Sequence, residues 1–203
     1  MDLNEIPPYS LLFFRGTGLI SRWIGRVSGA NLDGPTHVEM TLPPEAAILF
    51  GHRRQAVSFG ATTMARTPDL WTGERQSGVQ IWNLKDRVEQ YEGDKIWVRC
   101  CNGGMTRLSP EMKMFLVREH GKPYERNPMR LLGVVIDWPW IDDFFDADSE
   151  ESRFCSELTV RMLRILGYWD GAVNGSGPSE EYSPMNLFRS HLRGKYGEPE
   201  QIK

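Results

Sequence analysis

The sequence has few of the features that identify particular protein classes. Its 203 residues include three cysteines, two of them adjacent, and this odd count does not fit a disulfide framework. A reducing compartment is the simpler interpretation, and at least one thiol remains free. The formal net charge is -3, so no global positive field favours nucleic acid or an anionic membrane. We therefore expect no nucleic-acid partner.

Long apolar runs are also missing. The longest run, around Leu131 to Ile136, is core-sized and too short to cross a bilayer. The first five residues are acidic and lack the basic region and apolar run of a signal peptide. We therefore expect no transmembrane segment and a cytoplasmic location, or association with a virion if the protein is phage-encoded. The length, with 40% hydrophobic residues, suits a single domain over residues 1–203.

Apolar periodicity and turn residues predict helices that bracket a middle made mostly of strands. The predicted strands are Leu11–Arg15, Thr36–Leu42, Ala46–Phe50, Val57–Ala61, Val79–Trp82 and Ile96–Cys100. The predicted helices run from Leu19 to Val27, from Pro110 to Gly121 and from about Phe154 to Leu166. This order predicts an α+β domain with an antiparallel sheet.

Three details of these elements can be compared with a structure. Pro43 and Pro44 are expected to turn a hairpin between the second and third strands. In the Pro110 helix, Met114, Phe115 and Val117 are expected to face the core. The tail after Gly194 is expected to fray.

Cys155 lies at the predicted start of the last helix, after a long polar loop. A thiol at a helix N-terminus is exposed to the positive end of the helix dipole and to free backbone N–H groups, which favour the thiolate. The same N–H groups can hold a developing oxyanion. Position alone supports a nucleophile and a small buried packing residue about equally.

His37 lies near the start of the second predicted strand. Strand alternation places His37 and Glu39 on one face, and Val38 and Met40 on the other. A histidine opposite the apolar face suits a site, although the position taken alone favours a surface histidine near a strand start. Of the other histidines, His120 is expected to interact with the C-terminal end of a helix dipole.

Metal binding is not expected. Cys100 and Cys101 lack the two-residue gap typical of zinc ligands. The acidic residues between Asp146 and Glu151 lack the turn glycine of a calcium loop. We expect no metal and no other cofactor.

Several segments, taken in order, resemble a known family. They are Leu11–Gly18, Thr36–Val38, Gly78–Leu84, Gly121–Glu125, Phe154–Leu158 and Tyr182–Pro184. The chain is similar to the circularly permuted, papain-like branch of the NlpC-type cysteine hydrolases (the YiiX-like group), to which lecithin:retinol acyltransferase is distantly related. The resemblance implies a permuted papain-like fold, in which an antiparallel sheet packs against a helix bearing the nucleophile Cys155. It also implies that His37 is the base.

The chain departs from this family at two places. Tyr9-Ser10 stands where the family has Gly-Asp. The third catalytic position, often glutamate on the strand after the histidine, matches Gly51 or Gly60. We therefore take Glu39 as the first substitute for the orienting group and His52 as the second.

The function expected from the resemblance is a cysteine amidase or peptidase that works through an acyl-enzyme, with peptides, including those of peptidoglycan, as substrates. A lipid-directed thioesterase or acyltransferase would use the same two residues. A non-catalytic binding module and a structural scaffold are further alternatives. Tyr124 and Trp140 are candidate substrate-binding residues, and the aromatic residues around Trp140 could instead form core or a lid. No partner protein is indicated.

Overall fold

An antiparallel sheet of six strands is the largest element in the computed structural model, which describes residues 2–16, 34–63, 66–124, 155–169, 183–190 and 192–203. The strands are β1 (Leu11–Arg15), β2 (His37–Leu42), β3 (Val57–Thr62), β4 (Gly78–Asn83), β5 (Lys95–Arg99) and β6 (Glu200–Gln201). Their order across the sheet is β4-β3-β2-β1-β5-β6. The second strand is therefore central, with β1 and β3 as its hydrogen-bonded neighbours.

The helices of the described residues pack against this sheet. They are α1 (Ala46–Leu49), α2 (Leu84–Glu89), α3 (Pro110–Glu119), α4 (Cys155–Ile165) and α5 (Pro184–Arg189). Strands and helices together form the expected α+β architecture with an antiparallel sheet. In the described part of the chain, no helix is both long and apolar enough to span a membrane.

Both faces of the sheet are covered at β1, because alternate residues along this strand join different cores. Phe13 and Met40 belong to the larger core, together with Leu158 of α4. Phe14 belongs to a smaller core, together with Leu84 of α2. The cysteine-bearing helix α4 lies against β2 and β3. The side chains of β2 from Val38 to Leu42 are therefore buried whichever way they point, and only His37, at the start of the strand, is partly exposed.

The third helix begins as predicted, but a different face of it is buried. Ser109 accepts the N–H of Met112 and caps the helix, and Pro110 follows in the first turn. The buried stripe, at spacings of 3 and 4, is Met112, Phe115, Leu116 and Glu119. Met114 and Val117 are 70% and 48% exposed, so the prediction was right only for Phe115. The sequence pattern concealed this stripe because a charged residue, Glu119, completes it.

Two further predictions were wrong. Residues 46–50 do not form a strand, because Ala46–Leu49 is a short helix. Alanine favours helix, and both edges of β2 are already paired with β1 and β3. The tail does not fray, since β6 pairs with β5 and the Tyr196 hydroxyl donates to the carbonyl of Tyr9. The helix predicted from Leu19 to Val27 lies outside the described residues.

Candidate active site

The central strand β2 carries two polar side chains that touch each other. His37 and Glu39 are two residues apart, so they project from the same face. His37 Nε2 lies 2.8 Å from Glu39 Oε1, and the ring N–H donates to the carboxylate. The shared face expected for these two residues is confirmed.

Glu39 is completely buried, and donors surround its carboxylate. Arg87 donates to Oε1 from Nε at 2.8 Å and from Nη2 at 2.5 Å, while the Ser58 hydroxyl donates to Oε2 at 2.9 Å. Burial alone would raise the pKa of Glu39. The charge of Arg87 and the hydrogen bond from His37 outweigh burial and lower this pKa to about 2. Glu39 is therefore an anion throughout the neutral range.

A glycine on the neighbouring strand makes room for this carboxylate. A Cβ atom at Gly60 would lie 2.6 Å from Glu39 Cγ, closer than real side chains approach. Gly60 is one of the two glycines that the sequence resemblance predicts at the third catalytic position. The missing side chain at residue 60 therefore leaves the space that the Glu39 side chain occupies.

Cys155 is the first residue of α4, and it is 4% exposed. Burial raises the pKa of its thiol, whereas the charge and hydrogen bond of His37 lower it, helped by the backbone N–H groups of Val38 and Ser156. The net effect places this pKa below its usual value. The position at a helix N-terminus acts in the same direction.

The His37 ring is held between the thiol and the carboxylate. Burial lowers the pKa of His37, but Cys155 and Glu39 raise it more strongly, to about 9. Glu39 occupies Nε2, which leaves Nδ1 for the hydrogen bond with Cys155. Because the pKa of the thiol falls and that of the imidazole rises, thiolate and imidazolium are favoured as a resting pair. The His37 side chain is 15% exposed, so this pair is not sealed from solvent.

Of the two proposed substitutes for the orienting group, Glu39 is the one that contacts His37. His52 is exposed, and its Nε2 lies against the carbonyl oxygen of Leu70. Tyr124 is half-buried against the larger core, just after Gly121 and Lys122, whose backbones bond to Val79 of β4. Its role in substrate binding stays a prediction, and Trp140 lies outside the described residues.

The remaining titratable groups lie elsewhere. His120 caps the end of α3, but its ring bonds to the buried carboxylate of Asp69, at 3.0 Å from Oδ1. Cys100 and Cys101 are free thiols. Within the described ranges, no group of three or more histidine, cysteine or acidic side chains is arranged to hold a metal. The acidic segment 146–151 is not among the described residues.

Sequence reasoning missed Ser58 and Arg87. An arginine between the apolar residues Leu84 and Val88 of a short helix usually faces solvent, and nothing in its neighbourhood distinguishes it. The only signal was indirect. An acidic residue within a predicted strand needs a cationic partner if the strand is buried. No family model matches the chain, and the search of curated proteins finds no match either.

Proposed function

We propose that this protein is a cysteine-dependent hydrolase of the permuted papain-like type that cleaves amide bonds of peptides. Cys155 is the nucleophile, His37 is the general base and acid, and Glu39 orients His37. One observation carries the proposal. A thiol at a helix N-terminus is hydrogen-bonded to a histidine, and the far nitrogen of that histidine is bound by a fixed carboxylate at 2.8 Å.

This arrangement has the three parts of a nucleophilic triad, namely a nucleophile, a base and a group that orients the base. A merely buried cysteine needs neither a histidine partner nor an ionised carboxylate behind it. Burying a carboxylate inside a sheet costs free energy unless hydrogen-bond donors surround it. The donors here include the imidazole of His37. The geometry therefore favours catalysis over a binding module that has lost its orienting group.

In the first half of the reaction, the Cys155 thiolate attacks the carbonyl carbon of the scissile amide. A C–S bond forms, and the carbonyl oxygen becomes an oxyanion, which the backbone N–H of Cys155 helps to hold. The C–N bond then breaks as His37 gives its proton to the leaving amine. The products of this half are the free amine and an acyl-enzyme.

In the second half, neutral His37 takes a proton from water, and the resulting hydroxide attacks the thioester. The C–S bond breaks, the acid product leaves, and the thiolate–imidazolium pair is restored. Glu39 stays ionised throughout, because its role is to hold the ring and stabilise the imidazolium.

Hydrolysis of defined substrates tests this proposal. The purified protein is incubated with peptidoglycan stem peptides and, separately, with a long-chain acyl thioester, and the products are identified by mass spectrometry. We expect cleavage of the peptides that is abolished in Cys155→Ser and reduced at least a hundredfold in His37→Ala. Cys100→Ser is the matched control and should keep full activity, because Cys100 is outside the site.

The outcomes separate the substrate classes. Cleavage of the thioester alone would replace the amidase by a lipid-directed activity of the same residues. Turnover that persists in Cys155→Ser would contradict the proposed nucleophile.

A further inference from the structure

Arg87 is a buried cation among aromatic side chains. Its side chain, on α2, is 6% exposed. The guanidinium lies over the ring of Trp82, 4.6 Å from the centroid, and over the ring of Phe14 at 5.1 Å. Tyr91 is the third aromatic neighbour, at 5.9 Å. Burying a charge in this way is costly unless a partner compensates for it.

The partner of Arg87 is the oxygen that also holds His37. Both Nε and Nη2 of Arg87 donate to Glu39 Oε1, and His37 Nε2 donates to the same atom. The aromatic rings fix the guanidinium plane, and the two hydrogen bonds to Oε1 fix the carboxylate. Arg87 therefore determines where the acceptor for His37 lies through the oxygen that the two side chains share.

We propose that Arg87 is a positioning residue that acts through Glu39 and sets the pH range over which the Cys155–His37 pair is reactive. This inference rests on the proposed function. Its physical basis is charge balance, because the cation offsets one negative charge next to the pair. Without it, the Glu39 carboxylate would repel the thiolate and attract the imidazolium more strongly.

The charged and titratable groups facing the pair come from several elements. The strand β2 supplies His37 and Glu39, α4 supplies Cys155, and α2 supplies Arg87. Tyr91, just after α2, stays neutral because burial raises its pKa. Arg87 is therefore the fixed cation in contact with Glu39.

The direction of the effect follows from this balance. Removing the cation raises the pKa of both Cys155 and His37, since each acquires a less compensated negative neighbour. The thiolate then appears at higher pH, and the imidazolium persists to higher pH. The pH profile of alkylation has two steps, which we call its limbs: the first where the thiolate forms and the second where the imidazolium loses its proton. Both limbs therefore move to higher pH, which a simple loss of stability does not cause.

The test is the rate of Cys155 alkylation by iodoacetamide against pH in wild type, Arg87→Met and Arg87→Lys. We expect both limbs to move up by about one pH unit in Arg87→Met. In Arg87→Lys both limbs should lie close to their wild-type positions, because the charge is retained. Arg99→Lys is the matched control. Arg99 is also buried, but it donates to backbone carbonyls such as those of Leu187 and Gly197, so its profile should stay unshifted.

A second comparison places Arg87→Met on a Glu39→Gln background. If Arg87 acts through Glu39, Arg87→Met should shift the limbs much less in the Glu39→Gln background than it does in the wild-type protein. Folding of every variant is checked by circular dichroism, and Arg87→Gln, which also removes the charge but keeps a polar side chain, takes the place of Arg87→Met if that variant does not fold.

The results distinguish this inference from the proposed function. An activated Cys155 in wild type together with unshifted limbs in the variant that removes the Arg87 charge would overturn the inference and leave the triad intact. The same shift with and without Glu39 would also overturn it. An ordinary thiol in wild type would remove both the triad and the role of Arg87.

Discussion

Gly60 and Glu39 lie against each other on neighbouring strands, and a Cβ atom at residue 60 would come within 2.6 Å of Glu39 Cγ. Gly60, one of the two glycines that the family resemblance predicts at the third catalytic position, is therefore in contact with the carboxylate that binds His37. The orienting group is on the histidine strand itself, and the neighbouring strand leaves space for it. Under the proposed function, this relationship accounts for an orienting carboxylate on the histidine strand itself.

Replacing Gly60 by alanine should displace Glu39. The added methyl group forces the carboxylate away from His37, so the imidazolium loses a stabilising partner and the pKa of His37 should fall by about one unit. Overpacking of the buried strand should also lower the free energy of unfolding by about 1–3 kcal/mol. Alkylation rates and urea unfolding measure the two effects.

The control for this substitution is Gly197→Ala. A Cβ atom there meets nothing closer than 4.0 Å, so neither quantity should change. If Gly60→Ala alkylates like wild type, Glu39 does not need the space that the glycine leaves.

Glu39→Gln should make the protein less sensitive to acid. The folded-state pKa of Glu39 is about 2, below its ordinary value of 4.5, so its contribution to stability is present above pH 4.5 and is lost as the pH falls towards 2. Wild type should therefore lose on the order of 3 kcal/mol more than the variant across that range. Urea unfolding at several pH values measures the difference.

The matched control is Glu74→Gln, since this side chain is exposed. It should follow the wild-type acid dependence closely. Equal acid sensitivity of wild type and Glu39→Gln would mean that Glu39 is not held as a carboxylate.

The His120–Asp69 pair should stabilise the fold without affecting catalysis. Asp69 accepts from His120, from the backbone N–H of Thr72 and Ile81, and from the Thr72 hydroxyl. Asp69→Asn replaces one carboxylate oxygen by an NH2 group, whose two N–H donors then face groups that are themselves donors. The free energy of unfolding should therefore fall by about 2–3 kcal/mol. The pH profile of Cys155 alkylation should not move.

Asp94→Asn is the corresponding control at the surface. Asp94 pairs with Arg15 at 3.5 Å and is partly exposed, so its loss should cost less than about 1 kcal/mol. A changed Cys155 profile in Asp69→Asn would show that the second histidine is coupled to the site.

The sequence predicted the larger part of the sheet, because β1 to β5 are short apolar segments bounded by turn residues. It predicted α3 and α4 for a similar reason, since Ser109 with Pro110 marks a helix start and Gly167 marks a helix end. Local signals failed at residues 46–49, where alanines next to a proline turn form a helix. They also failed at β6, which depends on pairing with the distant strand β5.

The sequence also predicted part of the candidate site. The alternation of β2 placed His37 and Glu39 on one face, and helix position identified Cys155. Neither signal could show that Arg87, far along the chain, reaches Glu39, because that contact depends on how α2 packs on the sheet. The space left by Gly60 is likewise a property of two paired strands and not of either segment alone.

The central claim is that His37 activates Cys155, and alkylation by iodoacetamide against pH tests it most directly. Wild type, His37→Ala and Cys155→Ser are compared, with Cys155→Ser reporting the background from the other two thiols. Burial raises the pKa of Cys100, so its reaction should appear only at high pH. The account predicts an apparent pKa for Cys155 well below the ~8.5 of a free thiol, and a higher value in His37→Ala. A slow thiol with an ordinary pKa that is indifferent to His37 would contradict it.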